Sequence, residues 1–147
     1  MREILFRGKD IDSGLWCYGD MAHDREGNPY IRFWAHNGYL VRGVEPETVG
    51  QFTGFTDKNN KRIFEGDILN GFVYPFFNLE KNFHNYFAEV IWFDECGAFG
   101  LYTYKNPLSK VRGISAGNSD YMEEFDSDQW EVIGNIFDNP ELLEVEK

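Results

Sequence analysis

Short runs of alternating apolar and polar residues, broken by Gly, Asn, Asp and Pro, recur along most of this chain. A period of two is the signature of strands, whose successive side chains point to opposite faces. In REILFRG, residues 2–8, Ile4 and Phe6 point one way and Glu3, Leu5 and Arg7 the other. GLWCYGD follows the KDIDS connection, so the two segments read as an N-terminal hairpin whose second strand ends at Gly19. REGNPYIRFW places a turn at Gly27, Asn28 and Pro29 before a strand that reaches Trp34. NGYLVRG supplies the next strand, entered through Asn37-Gly38.

Glu45-Pro46-Glu47-Thr48 predicts a single helical turn, because proline suits a first helical position and acids suit a helix N-terminus. The chain returns to strand from Phe52, turns at residues 57–61 and resumes with Ile63, Phe64, Ile68 and Leu69. The turn, DKNNK, has calcium-loop elements in Asp57 and Asn59. However, Lys61 takes the next ligand position and no mid-loop glycine follows, so a hairpin turn is predicted and a metal site is not. Asn59-Asn60 suits it, since asparagine tolerates the left-handed conformation better than most residues. Beyond Leu69, Phe72, Tyr74, Phe76, Phe77, Phe83, Tyr86 and Phe87 crowd together around Pro75, which is awkward inside a central strand. A protruding hairpin or long loop over residues 73–87 is expected, then a core strand over 89–93, a turn at DECG and a returning strand AFGLYTY. Residues 106–129 read as a polar connection with one helical turn around 119–125. QWEVIGNIF is a strand, with Gly134 marking close approach of another backbone. DNPELLE starts a helix, with Asn139 as cap and Pro140 at the first position.

Composition sharpens this picture in three ways. The 147 residues suit one domain. Aromatics reach 18%, which favours strands and supplies anchors for interfaces. Fourteen basic against 25 acidic residues leave a net charge of −11, so a polyanion gains nothing from counterion release unless the few cations cluster. No run of about 18 apolar residues exists and MREILFRGKD lacks the basic-then-apolar layout of a leader, so a cytoplasmic protein without membrane attachment is expected. Cys17 and Cys96 are too isolated for a disulfide framework or zinc site, and both read as free thiols.

The sharpest chemical grouping is DMAHD, with Asp20, His23 and Asp24. A histidine beside carboxylates can ligate a metal or act as a base, but here a polar loop is the better reading. Glu65-Gly66-Asp67 reads as a tight bend in which Asp67 accepts backbone hydrogen bonds. No nucleophile elbow, phosphate loop, dinucleotide fingerprint or Cys-x-x-Cys pair is present. No reaction, catalytic residue, cofactor or metal is therefore expected.

The ordered blocks VEPETVGQFTGFTDKNNKRIFEGDIL, GAFGLYTY and EVIGNIFDNPELLE, together with MREILFRG, closely resemble the YopX family of bacteriophage and prophage proteins. Asn60 stands where that family usually has glycine, and the 73–87 segment is longer than the resemblance leads one to expect. The resemblance implies a mainly β protein: an SH3-type small barrel with additional N-terminal β-hairpins and a short C-terminal helix. A single domain over residues 1–147 would pack an N-terminal β-rich part, about 1–45, on a barrel of about 46–138. It implies no reaction. The function expected is a non-enzymatic interaction module for a host or phage protein or for itself, with Phe76, Phe77, Tyr86 and Phe87 as candidate anchors. The alternative is a nucleic-acid-binding barrel, or an acidic mimic that occupies a host nucleic-acid site.

Overall fold

The computed structural model describes residues 2–73, 84–95, 97–105, 119–121 and 127–143. The chain divides into two compact units, Met1–Gly54 and Phe55–Lys147. Both are built from antiparallel strands. Among the described residues the pairings form open sheets, not a closed barrel.

In the first unit the order is β4-β3-β2-β1-β5, from β1 (Phe6–Lys9), β2 (Trp16–His23), β3 (Pro29–Ala35), β4 (Gly38–Gly43) and β5 (Gly50–Thr56), the last of which runs on past Gly54. The predicted turn at Pro46–Thr48 is a 3-10 turn, tied down by Thr48, whose Oγ1 accepts from Lys9 N at 2.9 Å and donates to Glu45 O at 2.7 Å. Cys17, Ile31 and Val44 are buried together, with Phe6, Met21, Phe33 and Val49 packed against them. A single bridge, Asp10 to Val44, brings the end of β4 back to the end of β1, so the sheet curls around that core.

The second strand does not end at Gly19 but continues to His23, with Asp20 opposite Arg32 and His23 opposite Pro29. The alternation that buries Cys17 also places Met21 against the core, and this apolar position holds the extra residues in register. Pro29 opens β3, a position where a missing N–H is tolerated.

In the second unit β6 (Arg62–Phe64) follows the 57–61 turn, and a five-stranded sheet runs β10-β9-β8-β7-β11. Its strands are β7 (Asp67–Val73), β8 (His84–Phe93), β9 (Ala98–Lys105), β10 (Ser119–Tyr121) and β11 (Trp130–Asn135). Ile63, Leu69, Ala88, Val90 and Leu101 form its buried core, lined by Phe55, Phe99, Trp130 and Val132. Burying each of the larger side chains, Ile63, Leu69, Val90 and Leu101, stabilises by about 1.5–3 kcal/mol. Of the hairpin or long loop expected over residues 73–87, Val73 and residues 84–87 are paired strand, β7 against β8, and residues 74–83 lie outside the described residues. Ser119–Tyr121 is a strand against β9 where a helical turn was expected. The C-terminal helix is one 3-10 turn, Pro140–Leu143. Gly134 is approached closely, by the Asn139 side chain: a Cβ there would sit 2.5 Å from Asn139 Oδ1.

Candidate functional site

Strand alternation gives the first unit two faces. Cys17, Met21, Ile31 and Phe33 serve the core. The intervening positions, Tyr18, Asp20, Arg32, Trp34, Tyr39 and Val41, share the opposite face, where the register sets Asp20 beside Arg32, Arg32 beside Val41 and Trp34 beside Tyr39. Trp34 is 70% exposed, Tyr39 51% and Val41 50%. Single exposed apolar residues need no explanation, but a contiguous group on one face does.

The exposed rings are held in place. Trp34 and Tyr39 are directly opposite across the hairpin, with ring centroids 3.7 Å apart and planes tilted by 31°. The Arg32 guanidinium lies 4.7 Å from the Tyr39 centroid, and its Nη2 meets Asp20 Oδ2 at 3.3 Å. At such exposure each contact is modest, roughly 0.5–1 kcal/mol for the cation–π contact and 0–1 kcal/mol for the ion pair. Linked across three strands, they restrict the rotamers of Trp34 and Tyr39. The entropy cost of using these rings as binding anchors is then partly met in advance.

The same residues border an open edge. Among the described residues β4 has a strand ladder with β3 alone, and on its other side its last residue, Gly43, is bonded to Ile11. In an antiparallel ladder the N–H and C=O of one residue point to the same side, and alternate residues point to opposite sides. Val44 N donates to Pro29 O at 3.2 Å, toward β3, whereas Gly43 O accepts from Ile11 N at 3.0 Å, away from it. Val41 O also faces away, accepting from Arg42 Nη1 at 3.1 Å. Tyr39 and Val41 therefore present their backbone groups at the edge while their side chains stand on the aromatic face.

Of the residues singled out from sequence, Asp20 stands on this face beside Arg32, and the other described ones lie elsewhere. Asp20 and His23 are three apart on one strand and so point to opposite faces. Asp24 instead organises the β2–β3 turn, taking hydrogen bonds from Glu26 N, Asn28 N and Asn28 Nδ2 at 3.0, 2.8 and 3.1 Å. Those bonds, the Asn28 amide first, hold its carboxyl below the ordinary range. No group of three metal-ligating side chains occurs among the described residues. Asp67 accepts from Phe64 N at 2.8 Å, as the bend reading requires, and Gly66 takes the left-handed φ of 89°. Of the four candidate anchors, Phe76 and Phe77 lie outside the described residues. Tyr86 and Phe87 belong to β8, and Phe87 is half-buried.

The DKNNK turn is structural as well. The buried Asp57 carboxylate accepts from Asn59 N at 2.8 Å, Lys61 N at 2.9 Å and, across to β11, Val132 N at 2.9 Å. Asn60 sits at φ 66°, the left-handed conformation expected of it. Nothing in the sequence reading marked Trp34, Tyr39 or Val41 as functional. The available signal was Tyr39-Leu40-Val41 itself, since successive apolar residues in a strand must expose at least one to the outer face.

A search among curated proteins finds no match. The crystal structure of protein EF1440 from Enterococcus faecalis is similar over 98% of this chain and 100% of its own, at 22% identity and a TM-score of 0.53, a likeness of fold. The family model for YopX protein matches residues 5–144, and the chain belongs to the YopX family.

Proposed function

We propose that this protein is a non-enzymatic protein-interaction module, and that the aromatic face and open edge of the β3–β4 hairpin are its contact surface. The observation that carries the reading is the ordered pair Trp34–Tyr39, largely exposed yet stacked, beside a strand that, among the described residues, has a ladder on one side only, its other side bonded just at Gly43. An interface needs a few rigid aromatic anchors more than a large contact area. The phage or prophage setting, a cytoplasmic location and an SH3-type closure of the barrel complete the reading, drawn from family resemblance and composition. The segment bearing Phe76, Phe77, Tyr86 and Phe87 is a second candidate surface.

The test is affinity capture from host lysate with wild type beside a Trp34→Ser, Tyr39→Ser, Val41→Ser variant, both checked for native circular dichroism. A protein held by wild type and lost by the variant supports this surface. Equal capture by both removes it, and a parallel variant with Phe76, Phe77, Tyr86 and Phe87 changed to serine then tests the other segment.

A nucleic-acid reading has one observation in its favour: cations and rings share a face, with Arg32 over Tyr39 and, further along, Lys9 5.5 Å from the Trp16 centroid, although Arg7, 4.6 Å from the same ring, is buried. Charge favours the acidic mimic instead, because residues 55–147 carry 17 acidic and 8 basic side chains. Retardation of single-stranded DNA at low salt, abolished by added salt, would select the binding form of this alternative.

A further inference from the structure

We propose that the occupant of the β4 edge is a second copy of this chain, whose own β4 adds antiparallel about a two-fold axis at Leu40. The inference rests on reading β4 as an interaction surface and names its partner. Three observations select this arrangement.

First, the backbone inventory allows one compact register. The outward groups of β4 belong to Tyr39, Val41 and Gly43, and Gly43 O is already bonded to Ile11 N at 3.0 Å. A pairing centred on Val41 would need Gly43 as an acceptor, which is taken. Centring on Leu40 uses only Tyr39 and Val41. Tyr39 of each copy then exchanges both backbone hydrogen bonds with Val41 of the other, giving four in all. The Arg42 guanidinium, 44% exposed, swings off Val41 O to admit them.

Second, the side chains are self-complementary in that register. Tyr39 meets Val41 of the second copy, an aromatic beside a β-branched residue, which is a favourable cross-strand pair. Leu40 meets Leu40. Because Trp34 stacks on Tyr39 and Arg32 neighbours Val41, the row Trp34–Tyr39–Val41–Arg32 runs unbroken from one copy into the next, and the symmetry repeats it. Exposed apolar groups on both chains are covered at once, as an isologous interface requires.

Third, charge does not oppose it. The chain as a whole is strongly acidic, but β4 contains no acidic residue, and residues 1–54 carry six basic against eight acidic side chains. The single charge on the strand, Arg42, falls opposite Gly38 of the other copy rather than against itself.

The experiment is sedimentation of the full chain over a rising concentration series. Wild type is expected to pass from monomer to dimer. Val41→Pro removes an N–H that points away from β3, so the hairpin keeps its ladder while two of the four new hydrogen bonds vanish. Dimerisation should weaken about ten- to a hundredfold. Leu40→Lys and Leu40→Glu each set like charges against each other at the two-fold and should be monomers, and their equimolar mixture should recover the dimer. A wild type that stays monomeric at every concentration overturns the proposal. So does a dimer unchanged in natively folded Val41→Pro, or a mixture no more associated than either Leu40 variant alone. The capture experiment keeps the two readings apart: a monomeric wild type whose captured protein is lost with Trp34, Tyr39 and Val41 leaves the surface intact and gives it a foreign occupant.

Discussion

Asp57 illustrates how much one side chain can fix. The residue is 4% exposed, and its carboxylate receives three backbone N–H groups, two from its own turn and one from β11, distant in sequence. A hydrogen bond to a charged group is worth about 1.5–3 kcal/mol, and a buried donor left unpaired costs about 1–3 kcal/mol. Asp57→Ala removes the acceptor for all three donors. We expect a loss of about 3–5 kcal/mol by denaturant unfolding, which is a large share of the roughly 5–15 kcal/mol available to a domain. Asp57→Asn keeps one acceptor oxygen and is expected to lose less. If the two variants are equally stable, the carboxylate is not the clamp. The neighbouring Lys58–Glu131 pair, 3.4 Å apart and about one-third exposed on both sides, matters far less.

Elements are specified by fit as much as by periodicity, and the β7–β11 pair shows it. Gly71 lies opposite Trp130, and a Cβ on Gly71 would come within 2.6 Å of the indole. The ring is rigid and packs on the core of the second unit, so it cannot yield cheaply. Gly71→Ala is expected to cost about 1–3 kcal/mol, the usual range for overpacking, although alanine suits a strand better than glycine does. An unchanged midpoint in urea would show that Trp130 moves freely. This also marks the limit of what the sequence reveals. Alternation was enough to place nearly every strand, and turn chemistry placed the breaks at Asn28-Pro29, Asn59-Asn60 and Gly66. Alternation failed at β2, where polar Asp20 and His23 looked like loop, because strand residues on an exposed face and loop residues share the same composition. It failed again at Ser119–Tyr121, too short a segment to show a period. The candidate site was hidden for a related reason: exposure of Tyr39 and Val41 depends on what lies beside β4, and no local pattern encodes a missing neighbour.

At the scale of the molecule, charge and turn carboxylates together set the response to acid. Lowering pH from neutrality first protonates ordinary carboxylates and reduces the net charge of −11, which relieves self-repulsion and favours the compact state. Asp10 and Asp24 act in the opposite direction. Each closes a hairpin turn of the first unit, and backbone donors, Asp12 N for Asp10 and Asn28 N for Asp24, hold their carboxyls below the ordinary value of 3.8. A group with a depressed native pKa contributes stability that is complete above its unfolded value and is lost as pH falls through the native one. Stability is therefore expected to change little, or rise, down to about pH 5, and to fall below about pH 4. The Asp10→Asn, Asp24→Asn variant should be less stable at neutral pH, with a shallower acid limb, because the groups that lose their native hydrogen bonds on protonation are gone. Urea unfolding of both proteins at several pH values measures this. Parallel curves would mean that other carboxylates govern the acid transition, and that these two turns are held by backbone geometry alone.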